Sequence, residues 1–245
     1  MYKSGGGWRG PRRFRVVRKE PESSIITSFY LEPVNGGEIM GFQPGQFITV
    51  LLEVAGQRSR RTYSLSGGAG SNHYRISVKS EPEVSVKSEP EGIASNHLHD
   101  HVQVGTELDL LPPSGEFTLT ENPRPLALLT AGVGITPAIS MLDAAASSGR
   151  DIHFIHYALN SRVHAFRDHV DTLAIENENI QPHYIYSDPL PDDRADFEGF
   201  IDEEKLTRLL PEDRDVDLYF LGPKPFMELS ARMTLHCKRT KKSLP

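Results

Sequence analysis

The sequence predicts an all-β domain, a closed barrel or a sandwich, followed by an α/β domain built on a parallel sheet. Three observations carry this. Between residues 14 and 117 the chain is a series of short β-rich runs broken by turn residues, the pattern of small all-β folds. From Leu126 onward, continuous apolar runs alternate with helical stretches, as parallel strands covered on both faces require. The length of 245 residues, 38% of them hydrophobic, suffices for two cores.

In the first half the candidate strands are 14–17, 25–31, 47–54, 62–65, 74–78 and 108–111. Asn35-Gly36-Gly37 supplies residues that tolerate positive φ, and Pro44-Gly45 fits a tight turn before the strand that opens at Gln46-Phe47. The run Arg61-Thr62-Tyr63-Ser64 places a guanidinium, an aromatic ring and a hydroxyl within four residues. On a strand, Arg61 and Tyr63 share one face and Ser64 opens onto the other. That arrangement suits a flavin nucleotide: a planar fork for a phosphate, a ring to lie against the isoalloxazine, and a hydroxyl near its N5. An ordinary half-exposed strand with surface arginines reads the same way.

Residues 77–84 and 85–92 are a tandem duplication, identical at seven of eight positions. Two copies fall short of a repeat architecture, so the extra octamer lengthens one loop or slips one strand. Added loop costs only about 0.6 kcal/mol per doubling of length. Gly92-Ile93-Ala94-Ser95 follows, with Ser95 the expected N-cap of a short helix whose free amides suit a pyrophosphate. His97, His99 and His101 alternate; on a helix they are expected to diverge, with no carboxylate or cysteine at metal spacing, and no metal site is expected.

Asn122-Pro123-Arg124-Pro125 reads as a linker. An apolar strand at 126–130 leads into Ala131-Gly132-Val133-Gly134-Ile135-Thr136-Pro137 and a helix at 138–148 closed by Gly149. Strand, glycine turn and helix are the setting in which a dinucleotide phosphate rests on a helix N-terminus. Pro137 stands where the usual dinucleotide fingerprint has its third glycine, so the motif is a different one; proline is comfortable in a first helical turn. Further elements follow: strand 152–158, helix 163–175, strand 183–187, helix 202–210 and strand 216–221. Gly222-Pro223 then sits at the carboxyl end of a strand, where such sheets bind ligands.

No run approaches the ~20 apolar residues of a membrane span, and no signal-peptide stretch opens the chain, so a cytoplasmic protein with no membrane partner is expected. The single cysteine, Cys237, excludes an internal disulfide and a cysteine-ligated cluster. A net charge of -6 argues against nucleic-acid binding, and the basic 238–242 segment reads as a solvated tail.

Taken in order, Pro44-Gly45-Gln46-Phe47, Arg61-Thr62-Tyr63-Ser64, Gly92-Ile93-Ala94-Ser95, the 132–137 turn and Gly222-Pro223 resemble the ferredoxin-NADP reductase superfamily. The similarity is greatest to the reductase portion of the flavohaemoglobins, the nitric oxide dioxygenases; Ile26-Thr27-Ser28-Phe29, Leu31-Glu32-Pro33-Val34, Ser95-Asn96, Leu98-His99 and Val163-His164-Ala165-Phe166 look particular to that branch. The resemblance implies a tail at 1–11, a six-stranded antiparallel FAD-binding barrel at 12–120 and an NAD(P)-binding α/β domain at 121–245. It implies that Phe47, Arg61, Thr62, Tyr63, Ser64, Gly92 and Ser95 hold FAD, that Gly132, Val133, Gly134, Ile135, Thr136 and Pro137 hold the NADH or NADPH phosphates, and that Gly222 and Pro223 border the nicotinamide. Hydride would pass from nicotinamide to flavin and electrons singly to a haem or another acceptor. No side chain need act as an acid or base; Ser64 stands nearest N5.

Departures from the family shape further expectations. With no globin ahead of Trp8, a separate globin or other one-electron acceptor is the expected partner. Leu221 stands where relatives often carry cysteine, so slower hydride transfer is expected. The polar 235–245 ending is not expected to form the family's final strand, which would leave a sheet edge open. NADH is the expected donor, with Arg162 or Lys224 the candidate cations for a 2'-phosphate. The competing readings are the reductase component of an oxygenase and a truncated, non-catalytic FAD- or NAD(P)H-binding module.

Overall fold

A computed structural model of the protein describes residues 7–54, 56–81, 90–211, 215–233 and 239–242. The chain divides into two compact units, Met1–Thr118 and Leu119–Pro245, each with its own apolar core.

The first unit holds six antiparallel strands: β1 (Arg12–Pro21), β2 (Ile26–Pro33), β3 (Phe47–Val54), β4 (Gln57–Ser64), β5 (Tyr74–Lys79) and β6 (Glu107–Leu110), with one helix, α1 (Pro90–His101). Their order is β4-β3-β6-β1-β2-β5. An antiparallel bridge from Leu65 to Ile76 joins the two edge strands, so the sheet closes on itself as a barrel. β1 shows the period-2 logic: Phe14 and Val16 are buried while Arg13 and Arg15 face out to Asp109 and Glu107 at 3.1 and 2.8 Å. The rings of Trp8, Phe14 and Tyr74 pack 5.5–6.4 Å apart in the core, and the Tyr74 hydroxyl donates to the Met40 carbonyl at 2.7 Å. Gly36, Gly37 and Gly45 have φ of 67°, 88° and 99°, as the turns required.

The duplication separates cleanly. Ser77, Val78 and Lys79 of the first copy end β5, Pro90-Glu91-Gly92 of the second begin α1, and residues 82–89 lie outside the described segments. Asn96 clamps the junction, accepting from the Glu81 amide and donating to its carbonyl, both at 2.9 Å. The expected cap at Ser95 is corrected here: Ser95 is the sixth residue of α1, whose start moves upstream because proline fits a first turn.

The second unit is a parallel sheet of β7 (Leu126–Ala131), β8 (Ile152–Ala158), β9 (Ile180–Tyr186), β10 (Phe197–Glu198), β11 (Asp217–Leu221) and β12 (Arg239–Lys242), in the order β10-β9-β8-β7-β11-β12. The helices are α2 (Ile135–Ala145), α3 (Arg167–Glu176), α4 (Glu203–Leu209) and α5 (Lys224–Met233). β7 is buried at all six positions, as a central parallel strand must be. β12 corrects the expectation of a missing last strand: Arg239 to Lys242 pair in parallel with Asp217 to Phe220. An edge strand is held by its backbone ladder and tolerates a basic sequence that an interior strand would not.

The helix expected from residue 163 starts at Arg167 instead. Phe166, buried, adopts φ 62° and breaks the helical run. His164 accounts for the detour: it is buried, with Nδ1 2.8 Å from the Tyr186 hydroxyl, which accepts from Arg167 at 3.0 Å. The ring of His156, fully buried, lies 4.4 Å from that of His164 at a tilt of 31° and bonds Thr130 at 2.7 Å. Burial lowers both imidazoles, His156 to about 3. The unfolded chain therefore binds more protons below its ordinary value near 6.5. Stability present above pH 6.5 is lost as pH falls toward 3. The urea midpoint is expected to drop steadily between pH 6.5 and 4.5, above the carboxylate range; a flat midpoint there would contradict neutral burial of this pair.

Candidate functional site

In the first unit, β4 carries the Arg-Thr-Tyr-Ser run in full ladder register with β3: Arg61 opposite Val50, Thr62 opposite Thr49, Tyr63 opposite Ile48 and Ser64 opposite Phe47. Directly opposed residues share a face, so Arg61 and Tyr63 lie on the side of buried Ile48 and Val50, and Thr62, Ser64 and Phe47 lie on the other. Tyr63 is half-buried, packed against the barrel core. One Arg61 nitrogen donates to the Arg60 carbonyl at 2.8 Å.

Phe47 is fixed by neighbours that the sequence reading did not single out. It exchanges backbone hydrogen bonds with Ser114, both 2.9 Å. Gly115, at φ 116°, lies so close that a Cβ there would meet two Phe47 ring carbons at 3.0 Å. Gln46 donates from Nε2 to the Gly115 carbonyl at 3.2 Å and accepts from the Gln43 amide at 2.8 Å. Pro113-Ser114-Gly115 was readable as a turn, but its partner 66 or more residues upstream was not. After β4, buried Ser66, Ser77 and Ser28 form a hydroxyl chain with links of 2.7 Å, and Arg75 donates to the Ser66 carbonyl. The turn leaving the motif is thereby tied to β5 and β2.

Helix α1 lies against β3, β4 and β5. Starting at Pro90, it leaves the amides of Glu91, Gly92 and Ile93 without acceptors inside the helix, whereas the Ser95 amide falls within the helical ladder. Gly92 lies in that first turn and Ser95 three residues further along the helix. A guanidinium, a half-buried tyrosine and first-turn amides on adjacent elements are a donor set that fits a flavin dinucleotide.

In the second unit the strand order reverses between β7 and β11: β8, β9 and β10 extend to one side of β7, β11 and β12 to the other. The crevice at the carboxyl ends of those two strands is where open α/β sheets take ligands, and both glycine motifs lie there. Gly132, Val133 and Gly134 form one turn of 3-10 helix after β7, and α2 follows at once, without a side-chain cap. Ile135, Thr136 and Pro137 are its buried first turn. The two glycines differ. Gly132 has φ 52° with open space where a Cβ would stand, whereas a Cβ on Gly134 would meet the Leu221 carbonyl oxygen at 2.5 Å and the Gly222 nitrogen at 2.8 Å. Gly222 in turn presses on Phe226 and Ala131, at 2.7 and 2.8 Å from a notional Cβ. Gly134 and Gly222 therefore lock the two loops backbone to backbone, and Gly132 leaves an unobstructed approach to uncapped amides. That cradle fits a dinucleotide phosphate. Pro223 is exposed and accepts from the Met227 amide at 3.0 Å.

His97 and His101 require a correction. They do not diverge: one turn apart on α1, their rings lie 5.0 Å between centroids, while His99 points away to bond the Val78 carbonyl at 2.8 Å.

Residues 13–119 match the family model described as oxidoreductase FAD-binding domain, and residues 128–232 match the oxidoreductase NAD-binding domain. A flavohemoprotein of Burkholderia sp. (strain TH2) is 53% identical over 93% of this chain, and the match covers 56% of that protein. The chain thus spans about half the length of the curated relatives it matches. The flavohem-like FAD/NAD-binding domain of a nitric oxide dioxygenase from Vibrio cholerae superposes with a TM-score of 0.84 at 32% identity, covering 97% of this chain and all of that one. The cytochrome b5 reductase domain of Ulva prolifera nitrate reductase shares the fold at a TM-score of 0.80 and 18% identity, over 96% of this chain and 97% of that one.

Proposed function

Because the chain belongs to the flavohaemoprotein family of FAD- and NAD-binding reductase domains, we propose that it carries reducing equivalents from NADH through FAD to a haem or another one-electron acceptor. The observation that carries this reading is the crevice at the strand-order reversal, where Gly134 and Gly222 interlock and Gly132 stands open. Bound FAD supplies the redox chemistry, taking up a hydride and giving up electrons singly. The protein's own part is binding and orientation. Arg61 and the first-turn amides of Glu91, Gly92 and Ile93 neutralise the cofactor's phosphates, Tyr63 offers its ring, and Ser64 and Thr62 offer hydroxyls, with Phe47 held rigid by Gly115. The amides of α2 and the open side of Gly132 receive the nicotinamide dinucleotide's phosphates, and Gly222-Pro223 border its reactive ring. Such preorganisation lowers the entropic cost of bringing donor and acceptor together.

Mixing the purified protein with FAD and NADH under anaerobic conditions is expected to bleach the flavin band within seconds. Bound flavin that stays yellow would instead support a non-catalytic binding module. Arg61→Ala and Tyr63→Ala are each expected to weaken FAD binding by on the order of tenfold or more, the equivalent of at least about 1.4 kcal/mol; unchanged flavin content in both variants sinks the assignment of these residues. NADH is taken as the donor on the likeness to the oxidoreductase NAD-binding domain; Arg162 and Lys224, both exposed and in no ion pair among the described residues, are the cations that a 2'-phosphate would call on. A kcat/KM for NADPH tenfold above that for NADH would reverse this choice. A globin, or another acceptor of single electrons, completes the reaction as its partner. No helix among the described residues is long and apolar enough to cross a membrane.

A further inference from the structure

A two-histidine ligand set stands on the exposed side of α1. His97 and His101 are four residues apart on the helix, so their side chains rise from the same face one turn from each other. Their rings lie 5.0 Å between centroids at 45°, and neither makes a hydrogen bond among the described residues. His101 is exposed and His97 partly so, which leaves both rings open to solvent. The neighbouring histidine differs in each respect: His99 is engaged with the Val78 carbonyl. Lys19 holds the last turn in shape, donating to the carbonyls of His99 and Val102 at 2.7 and 2.9 Å. Asp100, three residues from His97, is near enough to act on it electrostatically. No set of three or more His, Cys, Asp or Glu side chains among the described residues is arranged to hold a metal ion. Any cation here would therefore keep water in its remaining positions.

We propose that His97 and His101 form a surface site for a borderline divalent transition-metal ion, which binds both imidazoles across one helical turn with water completing its coordination. Neutral imidazole suits copper, nickel and zinc, and oxygen-seeking magnesium and calcium find no carboxylate or carbonyl cage here. The order of preference follows from the ligand set: copper(II), favoured at nitrogen sites of any geometry and content with two nitrogens and water in one plane, is expected to bind more tightly than nickel(II) or zinc(II). The first imidazole raises the effective concentration of the second, because both are fixed on one rigid turn. A metal bridging two side chains of the last turn also ties that turn together, so binding stabilises the folded state by mass action.

The site does not depend on the proposed redox activity, and its test reads metal binding alone. The full-length protein with Cys237→Ser, which removes the only thiol, is titrated with copper(II) and then with zinc(II) by calorimetry. The copper complex is examined by electron paramagnetic resonance. One tight copper per chain with splitting from two nitrogens is expected, bound more firmly than zinc. His97→Asn and His101→Asn are each expected to weaken it on the order of tenfold or more, as loss of one arm of a chelate does, and circular dichroism establishes that the helix persists. Copper affinity that is the same in the parent and both variants, or a two-nitrogen signal that survives in both, places the metal on other histidines and overturns the proposal. Equal affinity for magnesium would overturn it as well.

Discussion

Asp217→Ala is expected to destabilise the second unit by about 3–5 kcal/mol, the cost of leaving a buried partner charge uncompensated. Asp217 opens β11, and its carboxylate collects Arg150 at 3.1 Å, Arg124 at 3.4 Å, the Asn122 amide at 2.5 Å and the Thr120 hydroxyl at 3.4 Å. The Arg150 side chain is only 5% exposed and also donates to the carbonyls of Arg124 and Thr120 at 2.7 and 2.9 Å. Asn122 and Arg124 of the segment 122–125, which read as a mere linker, are thereby fastened with Thr120 to the base of the sheet. Arg124, 29% exposed, is the lesser partner, and Arg124→Ala should cost no more than about 1 kcal/mol. Urea unfolding of the two variants checks the ranking; a loss of less than about 1 kcal/mol for Asp217→Ala would show that the cluster relaxes to let water in.

This cluster also marks where the sequence stopped being legible. Periodicity located β3 and β8 to the residue, because turn residues bound the one and a short, mostly apolar run between helical stretches defines the other. The ends of β1 and β4 and the whole of β12 escaped it, since basic residues that favour no burial are carried there by backbone pairing. In the site, glycine spacing pointed to the β7 and β11 turns, but nothing local distinguished Gly132 from Gly134. The difference lies in Leu221, 87 residues away from Gly134. Likewise Phe166 ends one pattern and opens another only because His164 must reach Tyr186. Pairings of that range depend on the folded topology and leave no periodic trace in the chain.

The two glycines after β7 should therefore respond to the same substitution in opposite ways. Gly134→Ala sets a methyl group 2.5 Å from the Leu221 carbonyl oxygen, against backbone atoms of Leu221 and Gly222. Backbone cannot rotate away as a side-chain tip can, so the β11 loop must move. A loss of about 3 kcal/mol is expected, at the upper end of overpacking costs, and the nicotinamide-side loop is displaced with it. Gly132→Ala meets nothing within 4 Å. Its cost is the left-handed conformation at φ 52° alone, about 1–2 kcal/mol. Its methyl group projects into the open approach assigned to the dinucleotide phosphate, so KM for NADH is expected to rise on the order of tenfold, equivalent to about 1.4 kcal/mol. FAD content should be unchanged in both variants, because the first unit has its own core. Thermal denaturation and steady-state kinetics separate the outcomes. If Gly132→Ala leaves KM for NADH at its original value, the phosphate does not pass over Gly132; if Gly134→Ala is as stable as the parent, the two loops are not locked against each other.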